Sequence, residues 1–152
     1  MEIEKKYQIN KESEVYNNII SYKRKRIVQS YLSFNPEVRI RKTIEDINKV
    51  KHFMTVKTGK GEIRAEYETE ISKSTYEELK EKVISKKLIK DRFIIPLEDG
   101  HKVELDIYGN IDLMLAEVEF ESEEDMNSFI KPDFLGEELK GDKYTPEQLA
   151  KE

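Results

Sequence analysis

Strict alternation of apolar and polar residues recurs along this chain, and a period of two places successive side chains on opposite faces of a β-strand. In 2–9, Ile3, Tyr7 and Ile9 share a face with Lys5, while Glu2, Glu4 and Lys6 lie on the other. In 63–71, Ile63, Ala65, Tyr67, Thr69 and Ile71 oppose Arg64, Glu66, Glu68 and Glu70. Val103, Leu105 and Ile107 oppose Lys102, Glu104 and Asp106 in 101–108; Met114, Ala116, Val118 and Phe120 oppose Leu113, Leu115, Glu117 and Glu119 in 113–120. Shorter alternations at 27–34, 37–42, 53–57 and 91–96 bring the total to about eight strands, enough to close a barrel.

Helical spacing is clearest in 74–89, where Tyr76, Leu79, Val83 and Ile84 recur behind a capping Ser74. Shorter helices are expected at 11–21 (Val15, Ile19, Ile20), at 122–131 behind Ser122 (Met126, Phe129, Ile130), and after Pro146. Each strand offers one apolar face and each helix one apolar stripe. The expected fold is therefore α+β and β-dominated: a closed eight-stranded antiparallel barrel with a charged interior and amphipathic helices packed outside.

Composition sharpens the question of what fills that interior. Charged residues make up 39% of the 152 residues and the apolar set 37%. The 27 Lys and Arg against 32 Asp and Glu give a net charge of -5, which argues against general nucleic-acid binding by counterion release. With no Cys, disulfides, thiolate catalysis and Cys-bound zinc are excluded. His52 and His101 are expected at the surface rather than as ligands. The run Lys23–Arg26 is expected at an exposed helix end or loop, with a nucleic-acid or polyphosphate patch as the alternative. No apolar run is long enough for a membrane span and the first residues are charged, so a cytoplasmic protein with no membrane partner is expected. No P-loop, nucleophile elbow or dinucleotide fingerprint is present.

A lone E-x-E-x-K on a strand usually marks a solvated face. Here acid and base pairs at i, i+2 recur in separate strands: Glu2 and Glu4, Arg39 and Arg41, Glu66 and Glu68, Glu104 and Asp106, Glu117 and Glu119. Lys6, Lys57, Arg64, Lys90 and Arg92 add single bases. Burying that many ions dry would cost each several kcal/mol of hydration, which pairing repays poorly. The interior must be wet or liganded. A hard divalent cation on the carboxylates together with a polyphosphate on Arg and Lys would use both signs of charge.

The short motifs along the chain also resemble a known family, over nearly its full length. They are E-x-E-x-K at Glu2, Glu4 and Lys6; Q-S-Y-L at 29–32; V-R-I-R at 38–41; T-V-K at 55–57; R-x-E-x-E at 64–68; K-x-R at 90–92; E-L-D at 104–106; A-E-V-E at 116–119; and D-K-Y at 142–144. In this order they resemble the CYTH domain, the triphosphate tunnel metalloenzymes, over a single domain 1–152. The resemblance implies an eight-stranded tunnel with Glu2, Glu4, Glu117 and Glu119 at the metal, Mg2+ or Mn2+. It implies Lys6, Arg39, Arg41, Lys57, Lys90 and Arg92 on the phosphates, with Glu66, Glu68 and Asp106 orienting the bases or sharing the metal. Arg64 and Lys143 are further substrate-binding candidates; Lys143 stands where the family usually has Arg, and a Trp common before the penultimate strand is absent around His101 and Lys102.

The expected activity is hydrolysis of the terminal phosphate of inorganic tripolyphosphate or a related triphosphate. A water attacks in line, with Lys6, Arg41, Lys57, Lys90, Arg92 and Glu119 as the catalytic set. The rivals are a class IV type adenylate cyclase and a non-catalytic polyphosphate or triphosphate-binding module. The expected partner is a small-molecule triphosphate; a homodimer is left open. Tripolyphosphate is expected to be preferred to ATP, because the charged faces carry few groups that read a base.

Overall fold

The structure is a computed structural model that describes residues 2–59, 63–141 and 143–151. Its strands are β1 (Glu2–Ile9), β2 (Lys23–Phe34), β3 (Glu37–Ile44), β4 (Val50–Thr58), β5 (Ile63–Ile71), β6 (Leu88–Pro96), β7 (Lys102–Tyr108), β8 (Met114–Phe120) and β9 (Leu135–Leu139). The helices are α1 (Glu14–Asn17), α2 (Lys73–Lys80), α3 (Glu123–Ser128) and α4 (Pro146–Lys151), with a short 3-10 turn at Ile19–Ser21.

All pairings are antiparallel, in the order β5-β4-β3-β2-β6-β7-β8-β1-β9, and β1 also pairs with β5 through Glu2↔Arg64 and Ile3↔Ile63. That contact closes the barrel with β1 to β8 as its staves. The free edge of β1 is shared: β5 takes its first residues, and β9 takes Lys6 to Ile9. Hence β9 is an extra strand beside the seam, one that alternation did not reveal. In its L-G-E-E-L sequence Gly136 allows the close approach, since a Cβ there would meet the Gln8 Cβ at 3.1 Å and its carbonyl oxygen at 3.3 Å.

Two apolar layers hold the barrel. Outward residues of β1, β6, β7 and β8 (Ile3, Tyr7, Phe93, Val103, Leu105, Val118, Phe120) pack beneath Val15, Ile19, Met126 and Phe129 of the α1 and α3 regions. The second cluster lies inside one end: inward Tyr31, Leu88, Tyr108 and Leu115 meet Leu149 and Ala150 of α4. So α4 stoppers the barrel rather than covering its wall, a departure from helices placed only outside. Side-chain parity puts Tyr31 on the inner face, in the row of Ile27 and Gln29.

Other elements are shorter than expected. The helix expected at 74–89 runs only Lys73–Lys80, capped by Ser72 rather than Ser74. It ends early because the following segment satisfies β2 instead: the Ile84 amide donates to the Tyr31 carbonyl at 2.9 Å, and the Tyr31 amide donates to Ser85 Oγ at 2.9 Å. The expected 11–21 and 122–131 helices contract to α1 with its 3-10 turn and to α3, the latter capped by Ser122 as read. Lys23–Arg26 is strand, not helix end or loop, because it pairs with Asp91–Ile94 of β6. His52 is buried, 4.8 Å from the Tyr76 ring of α2, where burial holds its pKa down. His101 is partly buried between Asp99 and Asp125, each at 2.9 Å, with the rings of Phe120 and Phe129 edge-on. Neither is the surface residue expected. Among the described residues no helix is long and apolar enough to cross a membrane.

Candidate active site

Ladder register decides which charges meet. Glu4 faces Glu119 and Lys6 faces Glu117 across β1 and β8, and Glu117 faces Glu104 across β8 and β7. Asp106 faces Arg92 on β6, Gln29 of β2 faces Arg41, and Lys57 of β4 faces Glu66 on β5. Because partners in register share a face, these side chains turn inward together. They line a cavity of about 160 Å³ walled by Glu2, Glu4, Lys6, Arg39, Arg41, Lys57, Arg64, Glu66, Glu68, Lys90, Arg92, Glu104, Glu117 and Glu119, with Pro146 of α4 at the stoppered end. Beside the β1–β9 seam it adjoins a wider space of about 800 Å³ reached past Lys6, Lys57 and Arg64, where Phe34, Pro36 and Leu139 supply apolar wall.

Three of the carboxylates converge. Oxygens of Glu2, Glu4 and Glu119 lie within 4.8 Å of one another. Burial, then the charges of Glu117 and Glu2, raise the Glu4 carboxyl to about 8. Lys6 at 3.2 Å does not offset this, because the same ammonium also serves Glu117. Although burial opposes it, Lys6, Arg92 and Lys90 hold Glu117 well below the usual carboxylate range. Burial together with Glu104 and Glu2 raises Glu119 to about 7, near the open mouth. Glu2 is brought to about 2, against burial, by a hydrogen bond with Glu66 and by the Lys57 ammonium at 2.8 Å. A convergence of desolvated like charges favours a proton or a cation between them, and an all-oxygen donor set suits a hard divalent ion.

The bases are of two kinds, interleaved with the acids. Arg92 is bidentate on Asp106, 2.7 and 2.9 Å, and also reaches Glu104 at 3.2 Å; Lys90 sits 2.7 Å from Asp106. Lys57 bridges Glu2 and Glu66, and Arg64 pairs with Glu37 at 2.9 Å. Arg39 and Arg41 differ. Both are buried, and among the described residues neither has a carboxylate within ion-pair distance. Arg41 donates to the neutral Gln29 oxygen at 2.9 and 3.1 Å, and burial with Arg39 and Arg92 beside it lowers its pKa to about 9. Among the described residues the buried Arg39 Nε has no hydrogen-bond acceptor.

Most of the expected site residues thus share one cavity. Asp106 does not line it: its carboxylate is saturated by Arg92 and Lys90, a geometry that orients bases rather than offering oxygens to an ion. Glu68 lines the cavity but is exposed and accepts from Thr55 Oγ1 at 2.9 Å. Glu66 and Glu117 line it outside the three-carboxylate cluster. Lys143 is exposed, its ammonium 5.3 Å above the Tyr144 ring and away from the cavity, since Tyr144 packs toward the apolar stopper. Asp142 of the D-K-Y motif lies outside the described residues. Sequence reading missed Gln29 as the partner of Arg41 and Glu37 as the partner of Arg64; their parity with the arginines was the available signal.

No family model matches the chain. An inorganic triphosphatase from Nitrosomonas europaea is 40% identical over 103 residues, 66% of this chain and 68% of the relative. The crystal structure of the inorganic triphosphatase NE1496 superposes with a TM-score of 0.63 at 30% identity, covering 97% of this chain and 96% of the other. The PH1819 protein from Pyrococcus horikoshii shares the fold, with a TM-score of 0.61 at 22% identity over 84% of each chain.

Proposed function

The chain belongs to the inorganic triphosphatase family, and from that premise we propose that its charged cavity is a CYTH-type tunnel that hydrolyses the terminal phosphate of tripolyphosphate or a related triphosphate, dependent on a divalent metal. The observation that carries this reading is the pair Arg39 and Arg41, buried without carboxylate partners in the same cavity as three converging carboxylates. Desolvated guanidinium groups facing a polar void call for an anion of matching fork geometry, and phosphate oxygens supply it.

Glu2, Glu4 and Glu119 would hold Mg2+ or Mn2+, and Glu117 with Glu66 and Glu68 would support that cluster and its neighbouring bases. When bound, the ion neutralises phosphate oxygens and thereby lowers the repulsion met by an incoming nucleophile. Arg39 and Arg41 grip the phosphates, joined by Lys6, Lys57, Lys90, Arg92 and Arg64. A carboxylate of the cluster orients the attacking water in line with the terminal phosphorus. As the new P–O bond forms, the water's proton passes to that carboxylate, the bond to the bridging oxygen breaks and diphosphate leaves with the electron pair. Arg41, Lys57, Lys90 and Arg92 stabilise charge on the equatorial and leaving oxygens, which is most of what phosphoryl transfer asks of a protein. Asp106 keeps Arg92 and Lys90 aimed.

Phosphate release from a panel of triphosphates in Mg2+, Mn2+ and EDTA tests the proposal. Release that needs the metal supports it. Tight tripolyphosphate binding without turnover in either metal would make the protein a binding module, and cyclic AMP formed from ATP would make it a cyclase.

A further inference from the structure

The basic run Lys23–Arg26 opens β2 and supplies none of the residues that wall the 160 Å³ cavity. Because the run is strand, its side chains alternate between the two faces of the barrel wall. Arg26 faces outward and is bound to Asp91 of β6, Nε to Oδ1 at 3.0 Å and Nη2 to Oδ2 at 3.3 Å. Arg24 shares that parity and is exposed, as is Lys23 at the strand end. Lys25 turns inward and is half-buried, in register with Arg92 and in the same row as Ile27, Gln29 and Tyr31.

Nothing anionic within ion-pair distance balances Lys25 among the described residues; Glu104 and Glu45 attract it only from farther off. Burial and the neighbouring Arg92 and Arg41 hold its ammonium below the usual lysine range. Three cations therefore crowd one stretch of wall toward the open mouth. Arg92 is balanced by Asp106 and Glu104, whereas among the described residues Arg41 bonds only neutral Gln29 and Lys25 has no bonded partner. Like charges that outnumber their counter-ions are a preformed anion site.

Resting on the reading of the cavity as a triphosphate site, we infer that Lys25 is a further phosphate-binding residue. It holds, alongside Arg92, the phosphate that lies beyond Arg41 toward the open mouth, and so sets the length of inorganic anion the site prefers. The row Arg39, Arg41, Arg92 and Lys25 then contacts three linked phosphates more fully than two.

The test compares Lys25→Ala, Lys25→Arg and the exposed, outward-facing control Arg24→Ala in the full chain. KM for tripolyphosphate is read in Mg2+, and Kd for tripolyphosphate and pyrophosphate is read by calorimetry with divalent ions chelated. Lys25→Ala is expected to weaken tripolyphosphate by roughly five- to tenfold and pyrophosphate by less than about twofold, with Arg restoring binding to within about twofold. Lys25→Gln serves if the Ala variant does not fold. An unchanged Kd for Lys25→Ala, or an equal loss for Arg24→Ala, overturns the inference and leaves the triphosphatase reading standing. No tripolyphosphate binding by the unsubstituted protein would overturn both.

Discussion

Glu4 and Glu119 are cross-strand partners on β1 and β8, and with Glu2 their carboxylate oxygens converge within 4.8 Å inside the barrel. Their folded pKa values, about 8 and about 7, lie above those of free carboxylates, so the metal-free protein holds protons there near neutrality. A cation must displace those protons. Affinity for Mg2+ or Mn2+ is expected to rise with pH between about 6 and 9, with proton release on binding. Calorimetry in buffers of different ionisation enthalpy measures that release; a pH-independent affinity would show the metal binding elsewhere.

The same shifts fix the sign of the stability profile. A carboxyl whose folded pKa is raised stabilises the fold below its unfolded pKa, and that contribution is lost as pH climbs through the folded value. Metal-free protein should therefore lose stability between pH 5 and 8 through Glu4 and Glu119, and added Mg2+ should restore more of it at pH 8 than at pH 6. Glu2 and Glu117, both shifted down, act only at more acidic pH. Thermal melts across this window, with and without metal, check the direction.

Acids and bases of the cavity should separate on mutation. Glu119→Gln is expected to raise the metal concentration needed for half-maximal rate, while Arg41→Ala raises KM for tripolyphosphate and lowers kcat. Each loss should be of order a hundredfold in kcat/KM under limiting metal or substrate, or about 3 kcal/mol. Full activity of both variants at low metal and low substrate would contradict the assigned roles.

Asp106 neutralises Lys90 and Arg92 in a fully buried cluster, so Asp106→Ala leaves two bases without their shared carboxylate. Breaking a buried ion pair by removing one partner typically costs about 3–5 kcal/mol. A drop of that size in the free energy from urea unfolding is expected, partly recovered by saturating tripolyphosphate. A variant as stable as the parent would mean that Lys90 and Arg92 find other anions.

Tripolyphosphate is expected to have a higher kcat/KM than ATP or thiamine triphosphate at fixed Mg2+. The 160 Å³ cavity is walled almost wholly by charged side chains. Tyr31 and Tyr108 are buried in the stopper and present no ring to a base in the cavity. Preference for an organic ester by tenfold or more would instead point to the wider space lined by Phe34 and Pro36.

Period-two alternation was enough to find the eight staves and to put Glu2, Glu4, Arg39, Arg41, Glu66, Glu68, Glu117 and Glu119 on their inner faces, because facing is a local property of an extended chain. Strand β9 escaped because a short segment bearing Gly136 and two adjacent acids takes its conformation from the free edge of β1. The helix expected at 74–89 was cut short for a similar reason, its second half being claimed by the backbone of Tyr31. Ladder register and barrel closure decided the rest. They chose which acid meets which base, tied Asp106 to Arg92 and Lys90, left Arg39 and Arg41 without a carboxylate, and turned Lys25 of an apparently superficial basic run toward the cavity. Such pairings join residues far apart in the chain, and electrostatic energy depends on distances that only the closed sheet sets.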